Sequence, residues 1–161
     1  MILVTTGSSG APFERLLTVV AGYDGDEELV VQHGPSTIRP AGARCIDFLP
    51  FGQLSALVEQ ARVVVAHAGV GSILLCVAHG VRPIVVPRLA RFGEVVDDHQ
   101  LFLARKLDAA GAVTSVEDPS DLWPVVRSLS DWTSSSQGSG RSPLADDLKS
   151  YLDSVLSAAG A

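Results

Sequence analysis

Two stretches of this chain, residues 62–66 (RVVVA) and 83–86 (PIVV), are apolar runs with no alternation of polar and apolar positions. A strand with one wet face alternates with period two, so an unbroken run has to be covered on both faces. Helical crossovers supply such cover, and helical patterns do follow these runs. The fold class expected is therefore α/β: a Rossmann-like parallel sheet with helices on both faces.

The remaining segments fit that frame. Residues 2–6 are a short β-branched strand, 29–32 a second and 44–47 a weaker third. Pro12 suits a first helical position, with Phe13, Leu16, Leu17 and Val20 at helical spacing and Gly22 as the stop. Residues 54–60 read as a short helix and 70–79 as another, closed by Gly80. The best amphipathic pattern covers 95–110 and stops at Gly111; a last strand follows at 112–115, and Asp118-Pro119-Ser120 opens a helix near 120–129. Residues 1–130 are thus one domain. The composition of TSSSQGSGRSP makes 131–143 a flexible linker. In the segment 144–161, residues 144–156 carry an amphipathic helix that packs on the domain or docks elsewhere.

Composition excludes several partners. A net charge of −6 without a basic stripe argues against nucleic acid. Cys45 and Cys76 have no metal-ligand spacing and read as reduced, buried residues of a cytoplasmic protein. Met1 leads into an apolar strand without a basic segment, so no signal peptide is expected, and no run reaches the roughly 20 residues of a spanning helix.

In a parallel sheet, ligands bind at the carboxyl ends of the strands. Six of the fifteen glycines and most of the unexpected polar residues fall in the segments there: 6–10 (TGSSG), 33–36 (HGPS), 48–51 (FLPF), 67–72 (HAGVGS) and 87–94 (PRLARFGE). Gly69 and Gly71 lie between a buried strand and a helix, where glycine allows a sharp turn and close ligand approach. The helix beginning at Val70 points free N–H groups and its positive dipole end at that ligand, and the natural guest is phosphate. One helix end contributes only about 0.3–2 kcal/mol, so a diphosphate needs a second element. The loop Gly7-Ser8-Ser9-Gly10 is the candidate, and Arg88, beside the end of another strand, could pair with phosphate or a sugar carboxylate. A dinucleotide fingerprint is absent: Leu74 stands at the third glycine position, and Gln32-His33-Gly34 ends strand two. There is no Walker lysine. Asp24-Gly25-Asp26 resembles a metal-binding DxD but falls at the opposite edge, so it reads as a turn, and no metal or other cofactor is expected.

The strings HAGVGSILL (67–75) and IVVPRLARFGEVVDDHQLFLARKL (84–107) resemble the C-terminal, donor-binding half of family-28 GT-B glycosyltransferases. Within that family the likeness is greatest to the PssE-type small subunits of two-component bacterial exopolysaccharide transferases. It runs from about residue 1 to 115, and P-R-x-x-x-F-G-E-x-x-x-x-H-Q, from Pro87 to Gln100, is its most specific part. The resemblance implies a UDP-sugar donor. It places Gly7–Gly10 over the diphosphate, Phe48 and Leu49 at the uracil, and Val70, Gly71 and Ser72 under the diphosphate. It places His99 and Gln100 on the sugar hydroxyls, with Arg88, Phe92, Gly93 and Glu94 in the same donor region. His67 matches a histidine beside the phosphates and is the catalytic candidate, against the alternative of a satisfied structural histidine. Many relatives carry a ribose-binding carboxylate where Leu75 stands; Glu94 would replace it, unless it is merely a solvated loop acid. The family inverts the anomeric centre in one displacement. Its general base and acceptor site belong to the other half, expected here on a membrane-associated partner that holds a lipid-linked acceptor and recruits this chain to the inner membrane face. The rival reading is a non-catalytic nucleotide-sugar-binding accessory module.

Overall fold

The structure, a computed structural model, describes residues 1–130. The linker expected at 131–143 and the helix expected within 144–161 lie outside the described residues. Six parallel strands form one sheet: β1 (Ile2–Thr5), β2 (Leu29–Gln32), β3 (Arg44–Ile46), β4 (Val63–His67), β5 (Ile84–Val86) and β6 (Thr114–Ser115). Their order is β3-β2-β1-β4-β5-β6. The chain winds outward from β1 in one direction and from β4 in the other, so the order reverses between these two central strands. At such a reversal the loops leaving the two strands diverge and open a crevice on the carboxyl rim.

Alternate residues of each strand serve opposite faces. Ile2, Val4, Leu29, Val31, Val63, Val65, Ile84 and Val86 pack on one side with α1 (Glu14–Val20) and α5 (Leu122–Ser130). Leu3, Val30 and Val64 face α2 (Phe51–Gln60) and α3 (Val70–Ala78), while Val85 packs with α3 and α4 (His99–Ala109). Both faces are dry, as the unbroken runs require. The indole Nε1 of Trp123 donates to the Val19 carbonyl at 2.9 Å, which pins α5 across α1.

Some boundaries differ from expectation. The strand ending β4 runs to His67, so the histidine is anchored in the sheet and does not sit in the loop. Helix α2 begins at Phe51, because Pro50 caps it and accepts from the amides of Gln53 and Leu54, both at 3.0 Å. Its first turn is exposed and so carries no apolar periodicity. Helix α4 begins at His99, four residues later than the pattern from Val95 predicts. The Glu94 carboxylate accepts from the Leu89 amide at 2.9 Å and Asp98 from the Ala90 amide at 2.8 Å, folding 89–98 into a compact loop.

Candidate functional site

Strands β1 and β4 pair in parallel with Thr5 opposite Ala66, so the loops that follow them leave the same rim side by side. Between them stands the His67 ring. A Cβ on Gly7 would lie 2.2 Å from its Cε1, and one on Gly69 would lie 2.0 Å from its Nε2. Both glycines are therefore required by the imidazole that the two loops enclose. Gly7 also needs its left-handed backbone, φ 79°. Gly69 does not: its φ of −86° and ψ of 134° suit any residue, so the sharp turn inferred from sequence is not why glycine stands there. A Cβ on Gly71 or Gly10 would meet nothing within 4 Å, which leaves room in front of both loops.

The Gly69 amide is occupied by the His67 carbonyl at 2.8 Å, and the first bond within α3 runs from the Ile73 amide to the Gly69 carbonyl at 3.1 Å. The amides of Val70, Gly71 and Ser72 come before that bond and have no intrahelical acceptor. They sit at the positive end of the helix, with Val70 and Gly71 exposed. Ser8, Ser9 and Gly10 are exposed on the neighbouring loop.

His67 is largely buried, and its Nδ1 has no hydrogen-bond partner. Burial, reinforced by the Arg88 guanidinium and only partly opposed by the Thr5 carbonyl, pushes its pKa down to about 4. In the free chain the ring is therefore neutral at pH 7, with one nitrogen able to donate and the other to accept.

An open cleft of about 460 Å³ lies against the first loop, lined by Gly7, Ser8, Ser9, Gln32, Arg39 and Phe48 among others. Phe48 is exposed on its wall, while Leu49 is buried. The α3 amides are outside this lining. Gln32 was not singled out from sequence, yet it organises the wall. Its Nε2 donates to the Gly7 carbonyl at 2.9 Å, and its Oε1 accepts from the Thr5 hydroxyl. The available signal was a lone amide at the carboxyl end of an apolar strand. His33 is buried, with its Nε2 2.7 Å from Asp47 and its Nδ1 2.7 Å from the Gly34 carbonyl.

The loop after β5 is held from below. Arg88 is 1% exposed; its guanidinium donates to the carbonyls of Pro12 at 2.8 Å and Thr6 at 3.1 Å and stacks 4.5 Å from the Phe13 ring centre. Glu94 is a buried acid, not a solvated one. Its two oxygens accept from Nε and Nη2 of Arg15, both at 3.0 Å. Arg15 also donates to the Pro87 carbonyl at 2.7 Å and stacks 4.9 Å from the ring of Phe92. Nothing in the sequence pairs residues 15 and 94, which lie in different segments. Phe92 is half-exposed, and Gly93 closes the turn with φ 68°. The Gln100 side-chain oxygen accepts from the Arg88 amide at 3.1 Å. His99 is exposed and bonded to Asp97. Leu75 is buried with Leu3, Val30, Val58, Val64 and Cys76. Among the described residues, no three His, Cys, Asp or Glu side chains converge as a metal site. No helix among them is long and apolar enough to cross a membrane.

Comparison with known proteins adds to this geometry. The family model described as "Glycosyltransferase family 28 C-terminal domain" matches residues 1–138. The UDP-N-acetylglucosamine transferase subunit ALG13 of Yarrowia lipolytica is 28% identical over 122 residues, 66% of this chain and 60% of that protein. The glycosyltransferase of kitacinnamycin superposes with a TM-score of 0.63 at 22% identity, over 95% of this chain and 39% of that one. SnogD from Streptomyces nogalater, also a glycosyltransferase, gives 0.52 at 26% identity, over 74% of this chain and 32% of that one. VinC, a glycosyltransferase solved in complex with dTDP, gives 0.59 at 21% identity, over 94% and 37%. The chain thus spans about 60% of the length of the curated relative it matches and less of the solved ones. A particular closeness to the exopolysaccharide subunits does not emerge from these matches.

Proposed function

Because the chain belongs to the family of glycosyltransferase family 28 C-terminal domains, we propose that it binds a UDP-sugar on the carboxyl rim of its sheet. In this reading it is the donor-binding subunit of a two-component inverting glycosyltransferase. The observation that carries the reading is the enclosure of His67 by Gly7 and Gly69, which draws two amide-bearing loops to the point where the strand order reverses. The α3 amides and the Ser8–Gly10 loop meet the diphosphate from two sides, and the cleft beside Phe48 takes the nucleoside. As the bond to the sugar breaks, negative charge grows on the departing UDP. Fixed amide dipoles stabilise it there without reorganising, and His67 adds a hydrogen bond. No metal is needed for this.

The acceptor hydroxyl requires a general base within hydrogen-bond reach. We place that base, and the lipid-linked acceptor, on a membrane-associated partner that brings this chain to the membrane surface. Two observations support a partner. The ALG13 relative is named as a subunit. Five large apolar side chains also stand exposed around the rim: Phe48, Phe51, Val70, Phe92 and Val96.

Calorimetric titration with UDP, dTDP, UDP-GlcNAc, UDP-glucose, UDP-galactose and UDP-glucuronate tests the reading. Expected are saturable binding of UDP and of at least one UDP-sugar, equal in EDTA and in magnesium, and weak transfer unless the partner is added. Absence of binding by UDP and every UDP-sugar would overturn it. If product formation in the two-component mixture survived His67→Ala unchanged, the chain would be an accessory module instead.

A further inference from the structure

Thr6, His67 and Arg88 continue the same alternation that sends Val4, Val65 and Val86 to the α1 face, so all three reach the carboxyl rim on that side. Arg88 has the least ordinary surroundings of the three. A fully buried guanidinium is normally paired with a carboxylate. Among the described residues, this one has no carboxylate in contact. Two of its donors go to backbone carbonyls, and its Nε is buried without an acceptor. The two carbonyls are those of Thr6 and Pro12, which lie at the two ends of the first glycine loop. Glu94, whose charge acts on Arg88, is already bound to Arg15. Two arginines and one glutamate thus leave one buried positive charge in excess next to His67.

We propose that Arg88 is the positioning residue of the first glycine loop: it ties both ends of residues 6–12 to β5 and keeps the crevice electropositive without touching the ligand. This rests on the donor-binding reading above. Buried charge without a counter-ion is costly, and a dianion in the crevice supplies the counter-ion. Ligand binding therefore relieves part of the cost, and affinity depends on a side chain that the ligand never meets. The Gln100 amide oxygen, on the Arg88 backbone N–H, holds the tie in register from α4. The fork geometry matters, because one lysine ammonium cannot take the place of two guanidinium nitrogens aimed at separate carbonyls.

The test uses the full chain as wild type, Arg88→Lys and Arg88→Met. Amide exchange is read at Gly7, Ala11 and Phe13, which donate to Thr5 Oγ1, Ser9 Oγ and Ser36 Oγ. UDP affinity is read by calorimetry. Arg88→Lys keeps the charge; it is expected to speed exchange at these amides about tenfold, leave the sheet amides at their wild-type rates and weaken UDP about threefold. Arg88→Met is expected to weaken UDP by a further tenfold, with the added loss shrinking in high salt. Wild-type exchange at the three amides in both variants would overturn the proposal. So would exchange rising uniformly through the sheet, or failure of both variants to fold, since Arg88 would then be only a core residue. Should Arg88→Met alone fail to fold, Arg88→Lys carries the decision. If wild type does not bind UDP, the donor-binding reading fails, while exchange in the free chain still decides whether Arg88 holds the loop.

Discussion

Alanine at Gly69 separates packing from backbone strain at the heart of the site. Its φ of −86° is ordinary, so alanine carries no conformational penalty there. The new Cβ would sit 2.0 Å from His67 Nε2 and 2.8 Å from Cδ2 and Cε1, where 3.0 Å is the practical limit. The ring has to yield by about 1 Å, but Gly7 closes the other side at a similarly short distance. Overpacking of this kind costs about 1–3 kcal/mol. Gly7→Ala meets the same ring at 2.2 Å and adds the left-handed backbone penalty, making it worse by roughly 1–2 kcal/mol. Gly71→Ala is the control in the same motif. Its Cβ meets nothing within 4 Å, and alanine is favoured over glycine in a helix by about 0.5–1 kcal/mol. It should therefore stabilise the free chain by roughly 0.5 kcal/mol while lowering UDP affinity, because it fills the space before the α3 amides. Urea unfolding followed by circular dichroism ranks the three variants, and calorimetry measures UDP. A Gly69→Ala chain as stable as wild type, or a Gly71→Ala chain less stable, would refute the account of why these glycines are here.

Two other outcomes follow from the buried charges. His67 is held near pKa 4 in the folded chain against a usual value of 6.5, so the unfolded chain binds the extra proton between those values. Its contribution is present above pH 6.5 and is lost as pH falls towards 4, by about 3 kcal/mol at most. The stability difference between wild type and His67→Asn should narrow by that order between pH 7 and pH 4; a constant difference in urea unfolding would contradict it. Glu94→Gln leaves Arg15 half-paired in a mostly buried site and should cost about 2 kcal/mol, somewhat less than breaking a fully buried pair. Unaltered stability combined with weaker UDP-sugar binding would instead return Glu94 to the ligand.

The architecture was legible in the sequence because it depends on local pattern. Unbroken apolar runs at 63–66 and 83–86 demand cover on both faces, and the helical periodicities between strands supply it. The rim was legible too, since a parallel sheet sends every strand-end loop to one edge. That is why Gly7–Gly10, His67 and Val70–Ser72 converge there in the structure. The partners of single side chains were not legible. Glu94 reads as a ribose-binding acid, or else a solvated loop acid, until Arg15 arrives from a helix 79 positions away, and Arg88 reads as a ligand-facing cation until the first loop folds over it. Gly69 carries the same lesson at the backbone: the sequence announces a glycine between strand and helix, but the reason for it is the His67 ring in contact. Local pattern determines which groups reach the rim. Tertiary packing decides which of them are already occupied when they get there, because burial and pairing depend on segments far apart along the chain.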